Sequence, residues 1–120
     1  MPSDSLKYLF DIQQACKRLN TFTNNKTKQE FMINELLRSA VERQFEIIGE
    51  ALNQLLKKDP QWASHISHCS RIIAFRNYLI HGYADIDDEV VWGILETNLP
   101  ILTREITSLL NDSKADKQSP

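Results

Sequence analysis

Glycine is scarce in this chain, at three residues in 120. Helix formers are abundant, and no stretch keeps the every-second-residue alternation of a half-buried strand. An all-α fold follows. No apolar run approaches the roughly 20 residues that a bilayer span requires. A charged-then-apolar N-terminus of the secretory kind is also missing. The expectation is a cytoplasmic protein with no membrane partner. Only two cysteines are present, Cys16 and Cys69, far apart and matching no metal or redox spacing. They are expected to be free thiols packed as small apolar groups. Excess positive charge is lacking too. The formal net charge of −2 argues against a broadly basic nucleic-acid surface. A local basic pocket is compatible with it, with weak RNA affinity unless two chains combine their arginines.

What is present is the composition of an ordinary globular protein, 42% hydrophobic and 25% charged. The length suits one domain with one core. Leu6, Leu9, Phe10, Ile12, Cys16 and Leu19 give a first amphipathic helix that ends before Phe22, and Asn24-Asn25 is a polar break. Thr27-x-x-Glu30 is a capping box that opens a long second helix to about Lys57, with a slight break near Arg38-Ser39. Its apolar stripe is Ile33, Leu37, Val41, Phe45, Ile48, Leu52 and Leu55. Asp59-Pro60 ends it, and Trp62 anchors the connection. A third helix runs from about Ser70 to His81, and a last one, capped by Asp87, to about Leu110 with Pro100 kinking it. The architecture is thus an up-and-down bundle of four to five helices over residues 1–110, followed by a polar tail, 111–120, expected to be disordered. Phe45, Ile48, Leu52, Leu79, Leu95 and Leu102 should be buried.

Chemistry concentrates in Arg76-Asn77-Tyr78-Leu79-Ile80-His81-Gly82-Tyr83. On a helix, Asn77 and His81 stand four apart and share a face. Arg76 lies about 140° round from His81, and its long stem can bring the guanidinium near the same spot. Gly82 is a natural left-handed C′ residue, which puts His81 in the last turn, where the dipole favours its protonated form. A cation, a proton carrier and a helix end together suit a phosphate ester. Spacing alone fits a purely structural helix end better than a catalytic one. Arg43, Glu46 and Glu50 form a charged stripe on the second helix, either solvated with local ion pairs or meeting Arg76 across a helix interface. His65, His68 and Cys69 stand three and four apart, but with no second such group they read better as polar caps than as metal ligands. The carboxylates Asp85, Asp87, Asp88 and Glu89 read better as a helix start than as a magnesium site.

This stretch resembles the Arg-x4-His-x-Tyr signature of HepT-like toxins, a branch of the HEPN superfamily of all-helical ribonucleases. Phe45-Glu46-Ile47-Ile48-Gly49-Glu50-Ala51 resembles that family's central helix. Trp62, Ile86-Asp87, Trp92 and Asn98-Leu99-Pro100 are similar too. The resemblance covers roughly Leu6 to Leu110. It implies a toxin ribonuclease whose catalytic residues are Arg76, Asn77 and His81, with Arg43, Glu46 and Glu50 supporting. It also implies a homodimer with the motif helices at its interface, acting on tRNA or mRNA. Its partner would be an MntA-type nucleotidyltransferase antitoxin of a type VII-like pair. That partner would carry ATP and magnesium and transfer AMP to Tyr83; the chain itself would need no cofactor.

The chemistry of RNA fits these residues. A metal-free ribonuclease needs a base for the ribose 2′-hydroxyl, an acid for the leaving 5′-oxygen, and positive charge on the phosphorane. His81 suits acid or base duty. Arg76 stays protonated and binds phosphate bidentately. Asn77 is placed to orient His81 or the phosphate. One chain has one such histidine, and a twofold dimer would bring two. A non-catalytic binding partner or substrate-presenting subunit of a minimal nucleotidyltransferase is the alternative from another class, and a helical bundle without an active site is the plainest.

Overall fold

The computed structural model describes residues 3–82 and 84–118. Helices α1 (Ser3–Thr23), α2 (Lys28–Ile33), α3 (Glu35–Lys58), α4 (Cys69–His81) and α5 (Asp88–Gln118) form an all-α bundle, with a 3-10 turn at Pro60–Ser64 and no strand among the described residues.

The amphipathic stripe of α3 makes it the central element. α1, α2, α4 and the 3-10 turn all pack against it, while α5 packs on α1 and α2. Lys58 at the end of α3 reaches Asp4 at the start of α1 at 3.3 Å, so these two helices run antiparallel. Leu9, Ile12, Cys16 and Leu19 of α1 meet Val41, Phe45, Ile48, Leu52 and Leu55 of α3 in one buried core. All six residues expected from periodicity to be inside are buried. Phe45 and Phe75 meet edge to face, with ring centroids 5.2 Å apart, which ties α3 to α4. Phe31 and Trp92, at 5.4 Å, tie α2 to α5. Trp62 is buried, as its anchoring role requires.

The sequence pattern errs at several places, each for a local reason. α1 continues through Phe22 to Thr23. The break in the second helix falls at Asn34, not near Arg38-Ser39. Asn34 leaves the helical region (φ −109°, ψ 95°), and its Oδ1 accepts from the Leu37 N–H at 3.0 Å, so its side chain starts α3. Arg38 bridges the break: its Nη1 donates to the carbonyls of Phe31 (3.3 Å) and Met32 (2.6 Å), satisfying the end of α2. The turn of the chain there throws Ile33 out of the stripe, to 85% exposed, beside Leu36 at 82%. At the start of α2, Thr27 Oγ1 accepts from the Glu30 N–H at 3.1 Å, the predicted cap. α5 continues past Leu110 to Gln118, through residues of which none is Gly or Pro. Pro100 lies inside it.

Candidate functional site

α4 carries Arg76, Asn77 and His81, and α5 holds it near both ends. Before α4, the backbone N–H and hydroxyl of Ser67 both donate to the Glu105 carboxylate, at 3.0 and 2.7 Å. His68 starts the helix in a left-handed conformation (φ 60°) but makes no capping bond with its side chain, contrary to the polar-cap reading. His65 packs its ring against Trp62 instead, and Cys69 Sγ donates to the Ile66 carbonyl at 3.1 Å. After α4, the Tyr78 phenol oxygen accepts from the Asp87 N–H at 2.6 Å. Asp87 Oδ1 in turn accepts from the Glu89 N–H at 2.9 Å, capping α5 as expected.

Gly82 does not adopt the left-handed conformation predicted for it; φ is −98° and ψ 20°. Its N–H donates to the Tyr78 carbonyl at 2.8 Å, continuing the helical bonding by one more residue. Close approach explains the glycine, since a Cβ there would lie 2.8 Å from that same carbonyl oxygen.

A second glycine sets the geometry of Arg76. Gly49 sits in the middle of α3, where glycine weakens a helix by about 1 kcal/mol relative to alanine. A Cβ on Gly49 would overlap the Cβ of Arg76 and come within 2.7 Å of its Cγ. The missing side chain is the notch into which α4 lays the arginine stem. The guanidinium is then fixed from both helices. Its Nη2 lies 2.8 Å from Glu50 Oε2, and its Nη1 donates to Asn77 Oδ1 at 2.9 Å. Its Nε is buried with no hydrogen-bond partner among the described residues. Asn77 thus meets Arg76 through Oδ1, and its side chain makes no hydrogen bond to His81 among the described residues.

Arg76 lines a pocket of about 270 Å³ between α1, α3 and α4. Tyr8 and Asp11 come from α1, Arg43, Glu46, Ile47, Glu50 and Gln54 from α3, and Ile80 from α4. Three carboxylates thus face two guanidinium groups. Arg43 pairs with Glu46 at 3.6 Å as a local, exposed i,i+3 pair that adds little stability. Of the two readings of the charged stripe, Glu50 takes the inter-helix one, while Glu46 and Arg43 take the local one at the rim of the same pocket. His81 lies in the last turn of α4, exposed, outside this pocket and without a hydrogen bond or ion pair among the described residues. Tyr83 lies outside the described residues.

Burial disfavours the thiolate of both cysteines. Burial pushes the Cys16 thiol up to about 11, against a weaker opposing hydrogen bond from Thr103. Burial, with Glu105 adding, also raises Cys69. Burial likewise raises Glu42 on α3, with Asp88 and Glu46 adding and Arg38 opposing. Among the described residues, no three His, Cys, Asp or Glu side chains gather as a metal site would require. No helix among them is long and apolar enough to cross a membrane.

Sequence reasoning missed Tyr8, Asp11, Gln54 and the notch at Gly49. The glycine left a signal: it interrupts an otherwise strong helical pattern, which points to a close approach of another backbone or side chain.

Comparison with known proteins identifies relatives of the chain as a whole. The family model described as Ribonuclease HepT-like matches residues 12–109. A Methanocaldococcus jannaschii protein named a putative RNase is 30% identical, over 99% of this chain and 98% of that protein. A second protein of the same organism and kind of name is 30% identical over 93% of each. A Thermococcus cleftensis protein named a probable ribonuclease HepT is 28% identical, over 85% of this chain and 92% of its own. No solved structure gives a significant match.

Proposed function

Because the chain belongs to the HepT-like ribonuclease family, we propose that it cleaves RNA as the toxin of a toxin–antitoxin pair. The observation that carries this is a guanidinium held ready by Glu50 and Asn77 on the helix that ends in an exposed histidine. Arg76 binds the scissile phosphate. The 2′-hydroxyl attacks the phosphorus, the 5′-oxygen leaves, and the products carry a 2′,3′-cyclic phosphate and a 5′-hydroxyl. His81 moves a proton in this step, and no metal ion is needed. One histidine serves one of two proton transfers, so a twofold dimer with the motif helices together completes the cleft. His81 is suited to this by being exposed and unengaged among the described residues.

His81→Ala is expected to lower cleavage of a labelled RNA by about 10²-fold or more, in chelator-treated buffer, with the dimer retained by size exclusion. Undiminished cleavage would remove His81 from the mechanism. Strict dependence on magnesium, undiminished in Arg76→Ala, would move the chemistry to Asp87 and Asp88.

Control is proposed to come from an MntA-type nucleotidyltransferase. The Tyr83 phenol oxygen attacks the α-phosphorus of ATP, held with magnesium on that partner, and pyrophosphate leaves. The added anion is drawn to Arg76 and blocks RNA. In Tyr83→Phe the accepting hydroxyl is gone. Toxicity is expected to persist when the partner is co-expressed, with no mass increment on the chain. Rescue equal to wild type would show that the partner silences by binding alone.

A further inference from the structure

The group nearest the proposed phosphate-binding cation is an anion. Glu50 Oε2 stands 2.8 Å from Arg76 Nη2. Its other oxygen, Oε1, accepts from Gln54 Nε2 at 3.1 Å, one turn further along α3. Both carboxylate oxygens are therefore engaged, and the residue sits on the central helix, not on a loop. Arg76 is constrained to match. Asn77 holds Nη1, and the Gly49 notch holds the stem.

Two opposite effects follow for an arriving phosphate. A free arginine samples many rotamers and loses that freedom on binding; here the freedom is already lost before substrate arrives. A carboxylate beside the phosphate also repels it, which weakens binding of the ground state. Fixed dipoles and charges that are oriented in advance act most where charge develops. A residue with both effects raises turnover and lowers affinity together.

We infer that Glu50 is a positioning residue, which orients Arg76 for the transition state at a cost in affinity for RNA. The inference rests on the ribonuclease reading above and goes beyond it by giving the carboxylate a measurable kinetic role.

Glu50→Gln keeps the size and an acceptor oxygen and removes the charge. For a short oligoribonucleotide, kcat is expected to fall about tenfold and KM to fall about two- to threefold. Glu50→Asp, which keeps the charge on a shorter stem, should recover part of kcat. The Arg76 Nε–H supplies a readout independent of turnover, because that atom is buried. Its ¹⁵N–¹H signal should be sharp in the wild type and broadened in Glu50→Gln. The melting temperature should hardly move, since the Glu50 side chain is 47% exposed. An unchanged or raised kcat overturns the inference, as does a fall in kcat with the Nε–H signal unaltered. A wild-type chain that cleaves no RNA sinks the ribonuclease reading and this inference together. A wild type that cleaves, beside an inert His81→Ala and a fully active Glu50→Gln, sinks the role of Glu50 alone.

Discussion

Arg76→Ala is expected to cut RNA cleavage by about 10²–10³-fold, the usual cost of losing one oriented donor to a developing oxyanion. The protein should stay folded. Arg76 is anchored by Glu50 and Asn77 at a partly open pocket, and ion pairs of that exposure contribute about 1 kcal/mol or less. Arg76→Lys is the sharper variant. It keeps the charge, but a compact ammonium cannot hold Glu50, Asn77 and a phosphate in the same fork. Its activity should lie nearer the alanine variant than the wild type. Initial rates on a fluorescent oligoribonucleotide, beside thermal melts, check both statements. Cleavage within threefold of wild type in Arg76→Ala would mean that the arginine is structural.

Gly49→Ala should destabilise the chain, although helix propensity alone predicts the reverse. Alanine in place of a mid-helix glycine is worth about 1 kcal/mol to an isolated helix. Here the new methyl would overlap the Cβ of Arg76, so α3 and α4 must part or shift. Overpacking of this kind costs about 1–3 kcal/mol. Set against that gain, a net loss of about 1 kcal/mol corresponds to a melting temperature lower by roughly 5 °C for a domain of this size. Combining Gly49→Ala with Arg76→Gly removes the opposing Cβ and should recover part of the loss, which identifies the contact as the cause. A melting temperature at or above wild type for Gly49→Ala would show that the helices have slack there.

The helices were readable from the sequence because their stripes are long and regular: Val41, Phe45, Ile48, Leu52 and Leu55 leave little choice of period or face. The motif stretch was readable because Arg76, Asn77 and His81 fall within two helical turns. Distances between elements were not. Nothing local distinguishes an inter-helix partner such as Glu50 from a solvated one such as Arg43, because both lie on one stripe and only packing of α4 selects between them. The break at Asn34 was missed for a related reason. A side chain that caps a helix competes with the helical pattern through one hydrogen bond, and hydrophobic periodicity does not record it. Gly82 was misplaced because glycine near a helix end has two uses, a left-handed turn or a close approach, and the residue name is the same for both.

α4 hangs from α5 at two points, through Ser67 on Glu105 and through Asp87 on Tyr78. Both fastenings lie beyond the span that holds Arg76 and Asn77, like the two ends of a bridge deck. Fraying at either end of α4 alone therefore leaves the middle seated in its notch. The span comes loose only when its packing on α3 is given up as well, an event of sub-global unfolding and not of loop motion. The price of this stiffness is indel intolerance within the helix: one residue gained or lost in α4 between Cys69 and Arg76 would rotate the arginine by roughly 100° relative to the Ser67 fastening, away from α3.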